Sequence, residues 1–206
     1  MRNTLRPAVI APAAVLAVLA VGALAFAPQG TTQAHAGHAR DSKPGHVAGS
    51  TDWQHKLKAA LPSLGHRNWI VVADAAYPQQ TSPGVKTIVT GAHQVDVVKD
   101  VVDLLGKQPH VKAHVQLDKE LNYVPENSAP GISRYRKDLD TALAGQNTEK
   151  LLHEDLIGKL DDAGQEFSVI VLKTDLTLPY TSVFFELDAK YWDADREADL
   201  RQRMGS

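Results

Sequence analysis

The period of the hydrophobic pattern changes along the chain, and each change marks an element. Trp53, Leu57 and Leu61 recur at four-residue spacing. That predicts a helix with one apolar face, capped by Asp52 and ended by Pro62 and a left-handed Gly65. Trp69 to Ala73 is an unbroken apolar, β-rich run, the pattern of a strand covered on both faces. Asp74 follows it directly, and Pro78 opens a polar loop to Gly84. Val85 to Thr90 predicts a second strand. Val95, Val98, Val101, Val102 and Leu105 repeat at three and four, a helix starting near Gln94 and capped by Gly106. His110 to Leu117 alternates as a third strand, and Asp118 to Gly131 is a long loop with Pro125 and Pro130.

Ser133 to Leu143 reads as a helix with Gly145 just beyond. Lys150 to Leu152 is a short strand, and a helix runs from there to about Ala163. Phe167 to Leu172 and Val183 to Leu187 are further strands, and Lys190 to Met204 is a charged helical tail with Trp192 and Leu200. Strands alternating with helices predict a single three-layer α/β domain, a largely parallel sheet flanked by helices. Its expected extent is 52–188, with 189–206 as a C-terminal helical extension. No internal repeat, P-loop or Rossmann glycine pattern is present in the sequence.

The chain before residue 52 is different in kind. Arg2 and Arg6 precede an uncharged Ala/Val/Leu run from Ala8 to Ala27, and Ala34-His35-Ala36 fits a small-residue cleavage site. Residues 1–36 are expected to be a signal peptide, or an N-terminal membrane anchor if retained. Residues 37–51 are rich in Gly, Ser, His and charge and read as a flexible linker. The domain is therefore expected to work in an extracytoplasmic compartment, periplasmic or secreted. His35, His38 and His46 match no defined metal-site spacing, so no metal site is assigned.

Composition narrows the chemistry. The chain of 206 residues is 43% hydrophobic, enough for a core, and it has no cysteine, which excludes disulfides and thiolate catalysis. A formal charge of −2 leaves no electrostatic footprint for nucleic acid. Asp74 stands at the carboxyl end of a strand, where open α/β sheets bind ligands; a turn carboxylate bonding its own backbone is the plainer reading of it. His66, on spacing alone, reads as an imidazole bonding the last carbonyls of the preceding helix. About five strand residues at roughly 3.3 Å each place it more than 15 Å from Asp74 within one chain.

Leu64-Gly65-His66, a short apolar strand, then Asp74-Ala75-x-x-Pro78 resembles the opening signature of the D-ribose pyranase / L-fucose mutarotase family. Val169 to Thr174 followed by Pro179-Tyr180 resembles its last strands, and Arg134-Tyr135-Arg136 resembles a triplet on a middle helix of the fucose branch. The resemblance spans 52 to 188. It implies a cofactor-free isomerase that interconverts anomers or ring forms of a free monosaccharide, with no metal. Opening a hemiacetal moves only two protons, one off the anomeric hydroxyl and one onto the ring oxygen, which suits an imidazole titrating near neutrality. By resemblance, His66 is the acid–base group, Asp74 its catalytic partner, and Tyr180, Ser182 and His153 contact substrate. A ring-shaped homo-oligomer with sites at subunit contacts is also implied, which would bring His66 and Asp74 together from adjacent chains.

The matches at His153-Glu154, like a ribose-branch pair, and at Lys173 are looser; a solvated helix-opening His and a solvated strand-end Lys explain them equally well or better. Tyr180 also reads as a half-buried aromatic at a strand start, and Arg134 and Arg136 as a solvated helix face or an interface pair. Two positions depart from the family pattern. Asn68 replaces an acid two residues after Gly-His, and Ser182 replaces Asn in Tyr-x-Asn. They motivate an alternative function, a non-catalytic monosaccharide-binding or scaffold protein of the same fold.

Overall fold

The computed structural model describes residues 52–205. The expected leader (1–36) and linker (37–51) lie outside them. The elements in order are α1 (Asp52–Ala60), β1 (Trp69–Ala73), β2 (Val85–Val89), α2 (Gln94–Gly106), β3 (Val111–Asp118), α3 (Ile132–Ala142), β4 (Thr148–Leu151), α4 (His153–Glu166), β5 (Val169–Lys173), β6 (Val183–Ala189) and α5 (Ala194–Met204). Among the described residues, no helix is long and apolar enough to cross a membrane.

The six strands form one sheet in the order β2-β5-β1-β6-β3-β4. β1 pairs in parallel with β5, β5 with β2, and β3 with β4. β6 runs antiparallel between β1 and β3. Every residue of β1 is buried. Ile70, Val71 and Val72 are each wholly removed from water, worth about 1.5–3 kcal/mol apiece.

Helices cover both faces of the sheet. On one, Trp53, Leu57 and Leu61 join Val97, Val98, Val101 and Leu105 of α2 and Ile132, Tyr135 and Leu139 of α3, packed on Ile70, Val72, Leu172 and Phe185. On the other, Leu156 and Leu160 of α4 pack on Trp69, Val71, Val171 and Phe184. α4 does not reach across that whole face. Its Lys159 reaches Gln116 of β3 at 3.4 Å and Glu186 of β6 at 3.8 Å, and beyond them lie Lys112, His114 and Asp188, in register His114↔Glu186 and Lys112↔Asp188. At its other end α4 meets β2 closely. The Gly84 amide donates to Gly164 O at 2.9 Å, and a Cβ on Gly84 would strike the carbonyls of Gly164 and Phe167.

Three local expectations are corrected. Gly65 does not take a left-handed conformation; that role falls to Arg67, at φ 71°. The reason is Asn68, whose Oδ1 accepts from the Gly65 amide at 2.7 Å while its own amide donates to Gly65 O at 3.1 Å, closing the turn around Arg67. Gly106 is the last residue of α2 rather than its cap, which is Lys107. Asp118 belongs to β3, paired with Leu151, and not to the loop that follows.

Candidate functional site

β6 is antiparallel, so its start lies at the same edge as the ends of its neighbours. Val183 pairs with Val72 on one side and Leu117 on the other. The next residues outward are therefore Asp74 beyond β1, Asp118 at the end of β3, and Tyr180-Thr181-Ser182 before β6. β4 leads to the same edge and into α4, whose first residue is His153.

The side chains at this edge touch. Asp74 Oδ1 accepts from the Ala76 amide at 2.8 Å, and Ser182 Oγ donates to Asp74 Oδ2 at 3.4 Å. Asp74 thus closes its own turn and also faces the site. His153 Nδ1 lies 3.0 Å from Asp118 Oδ1, and its amide donates to both oxygens of Glu120 at 3.1 Å, a carboxylate at a helix N-terminus. Tyr180 meets the His153 ring edge to face, with centroids 5.5 Å apart. Tyr180 is 41% exposed and has φ 56°, a backbone conformation that costs a bulky residue about 1–3 kcal/mol.

A buried polar layer holds that strained turn. Tyr135 OH donates to Thr181 O at 2.7 Å. Gln94 Nε2 donates to Tyr135 OH at 2.9 Å and also to Thr181 O, while Thr174 Oγ1 lies 2.9 Å from Gln94 Oε1. In the triplet 134–136, Tyr135 is therefore the residue that supports the site. Arg134 is exposed and pairs with Asp138 at 3.5 Å. Arg136 is not a solvated face: it donates to the carbonyls of Leu121 and Val124, both at 2.9 Å, and ties down the long loop.

Electrostatics set this edge apart. Asp118 is 1% exposed, and its Oδ2 has no protein hydrogen-bond partner. Burial raises its carboxyl above the ordinary range; the His153 hydrogen bond and charge oppose the rise, and Glu120 and Asp74 add to it. Tyr77, also buried, has a hydroxyl without a protein partner. Burial, then the charges of Asp161, Asp118 and Asp74, push its phenol far up. Lys173 reaches back to Tyr77 O at 2.7 Å, so it braces this loop and is not simply solvated.

His66 lies at the other edge. Its Nδ1 is 2.8 Å from Asp188 Oδ1, and Asp188 Oδ2 also faces His114 Nε2 at 3.5 Å and Lys112 Nζ at 3.8 Å. Burial acts to raise the Asp188 carboxyl, but the Ala189 amide, His66, His114 and Lys112 outweigh it and hold it below the ordinary range. The helix-end role that spacing suggests for His66 is filled instead by His110, whose Nε2 lies 3.3 Å from Leu61 O and 3.1 Å from Leu64 O. The structure thus brings together Asp74, Ser182, Tyr180 and His153, and leaves His66 at the far end of β1.

The model of the RbsD / FucU transport protein family matches residues 53–187. The chain belongs to this family, that of the ribose pyranases and fucose mutarotases. Among solved structures, it is similar to Bacillus subtilis RbsD complexed with D-ribose, at 21% identity and TM-score 0.44, over 65% of this chain and 91% of that one. It is also similar to the fucose mutarotase of Streptococcus pneumoniae in complex with L-fucose, at 20% identity and TM-score 0.44, over 71% and 97%. FucU from Bifidobacterium longum follows at 12% identity and TM-score 0.42, over 65% and 94%. No curated protein matches the chain.

In this RbsD / FucU chain, Asp118 and Tyr77 join the candidate site without a motif to mark them. Asp118 obeys the same strand-exit rule that marks Asp74. Its signal was hidden because the apolar alternation stops at Leu117, which made the acid look like the start of a loop. Tyr77 had no signal, since a Tyr before a loop Pro is ordinary. Among the described residues, no group of three or more His, Asp and Glu side chains is arranged to hold a metal ion.

Proposed function

We propose that this protein is a cofactor-free monosaccharide mutarotase or pyranase that opens and recloses the ring of a free aldose by acid–base catalysis. What carries the reading is the meeting of Asp74 with Ser182, and of Asp118 with His153 and Tyr180, at one sheet edge in a chain of this family. In the proposed reaction, one group takes the anomeric hydroxyl proton. The bond from the anomeric carbon to the ring oxygen breaks, and a second group protonates that oxygen. The open-chain aldehyde then recloses on its other face or through another hydroxyl. His66 is the proposed acid–base group, with Asp74 as its carboxylate partner; Tyr180, Ser182 and His153 bind sugar hydroxyls.

His66 and Asp74 stand at opposite ends of β1, so the proposed site is shared between copies of this chain. His66 of one copy faces the Asp74 edge of the next in a homo-oligomer. The polar strip of Lys112, His114 and Asp188 beside His66 supports this, because α4 stops short of it, at Gln116 and Glu186, and leaves it open to a second copy. The charged start and apolar run of residues 1–36, expected from the sequence to be a leader, support an extracytoplasmic site of action.

A second reading rests on the His153–Asp118 pair, which supplies an imidazole and a carboxylate within one copy. The two are separated by exchange NMR on a panel of aldoses that includes ribose and fucose. Wild-type protein should speed anomer exchange, and His66→Ala, still folded, should not. Exchange retained in His66→Ala but lost in His153→Ala would favour the single-copy site. No acceleration with any aldose would move the protein to the non-catalytic sugar-binding class.

A further inference from the structure

The edge that holds His66 carries a groove of about 640 Å³, lined by His66, His114, Asp188 and, from beyond the family match, Tyr191, Trp192 and Glu197. That volume is in the range of small-molecule sites. The part contributed by the extension is firmly rooted. The Lys190 amide donates to His110 O at 3.1 Å, and its ammonium donates to the carbonyls of Gly106 and Gln108 at 3.2 and 3.0 Å. Asp193 then caps α5 by accepting from the Arg196 amide at 2.9 Å.

α5 buries none of its side chains, so it adds nothing to the core. What it does is fix an indole. Trp192 Nε1 donates to Glu197 Oε2 at 2.8 Å, and Glu197 Oε1 accepts from Arg201 Nε at 2.7 Å. Trp192 remains 40% exposed and Tyr191 69% exposed, beside the imidazole and carboxylate of the His66–Asp188 pair. A rigid aromatic face next to directional polar groups is the combination that recognises a sugar ring. The C–H face of the ring lies on the aromatic surface, and its hydroxyls meet the imidazoles and carboxylates.

We infer that the C-terminal extension forms the specificity wall of the His66 groove, with Trp192 and Tyr191 stacking against the monosaccharide ring and Glu197 positioning Trp192. The inference deepens the proposed function and rests on His66 handling a sugar. Residues 189–206 lie outside the family match, so the wall is not among the features that match the chain to its family.

The test uses the three tryptophans of the chain. Trp53 and Trp69 are each 3% exposed, so acrylamide quenching of the full-length protein reads Trp192. Titration with D-ribose and with L-fucose should lower the quenching constant saturably for the sugar that is accepted, and Trp192→Phe should hold that sugar more weakly. Trp192→Ala should raise the KM for catalysed anomer exchange about tenfold with little change in kcat, and Glu197→Gln should raise it about threefold. Unchanged quenching at sugar concentrations that saturate exchange would overturn the inference, as would an unchanged KM in Trp192→Ala. The titration is run at a protein concentration where quenching without sugar no longer changes with dilution, so that only sugar-dependent shielding is read; Trp192 shielded fully by self-association, with no further change on adding a sugar that is turned over, would overturn it too. If no sugar shows catalysed exchange but shielding is saturable, the enzymatic reading fails and the wall stands as a binding element; with neither, both fail.

Discussion

The two ends of β1 are built on opposite physical plans. At its carboxyl end, a carboxylate and a phenol are sunk among buried groups: Asp118 is 1% exposed and Tyr77 4%. At its amino end, His66 stands in solvent and pairs with a half-buried Asp188. Burial drives the first carboxyl up, whereas amide and cationic neighbours hold the second down. The buried end is preorganised, since Tyr135, Gln94 and Thr174 hold the strained Tyr180 turn from below. The open end has no such buried support; its own chain gives it only the exposed wall of Tyr191 and Trp192.

The sharpest way to break this comparison is complementation. His66→Ala and Asp74→Ala should each lose at least about 100-fold in catalysed exchange. Mixing the two variants under conditions that let subunits exchange should restore activity, because one class of mixed contact keeps both wild-type halves. No recovery in a mixed oligomer would show that the two ends serve separate roles.

Next in size is Asp118→Asn. Exchange should slow by about 10-fold or more, while resistance to urea at neutral pH should increase. The folded chain holds the Asp118 proton more tightly than the unfolded chain does. Stability therefore falls as pH rises from the ordinary carboxylate range through the raised value. The advantage of the variant should vanish below the ordinary range. An equal or lower urea midpoint at neutral pH would contradict the burial argument.

Tyr135→Phe should cost about 1–2 kcal/mol in urea unfolding, because Thr181 O and Gln94 lose a buried partner. Its KM should rise a few-fold as the Tyr180 turn loosens, with kcat less affected. The smallest effect is expected at the open end. Asp188→Asn should lower stability slightly at neutral pH. The deficit should disappear as pH falls through the depressed native value, where the wild-type carboxyl takes up its proton as well. A deficit that persists in strong acid would mean that packing, not charge, is lost.

Most of the fold can be read from periodicity. The all-apolar β1, the Val stripe of α2 and the α4–β5 succession are strong local signals, and each became the expected element. Strand order is not local, and the antiparallel placement of β6 between β1 and β3 has no signature in its own residues. The candidate site was legible in part. Asp74 was marked by strand exit, and Ser182, Tyr180 and His153 came through the family resemblance; His66, from the same resemblance, lies at the other end of β1. Asp118 was hidden at a strand boundary misjudged by a single residue, and Tyr135 stood only as part of a weak triplet. The Asn68 departure has a structural account, since its side chain closes the turn before β1. The Gly65 expectation failed for the same reason, because that turn transfers the left-handed residue to Arg67.

β6 begins beside Ser182 and ends beside Asp188, and side chains alternate along it. Ser182 and Asp188 are an even number of residues apart, so they share one face of the sheet. Inserting or deleting a single residue between them would turn one of them to the opposite face. An odd change of length between Ser182 and Asp188 is therefore one that this strand cannot absorb without re-aiming one of the two side chains. The C-terminal extension lies wholly beyond Asp188, where its length leaves that parity intact.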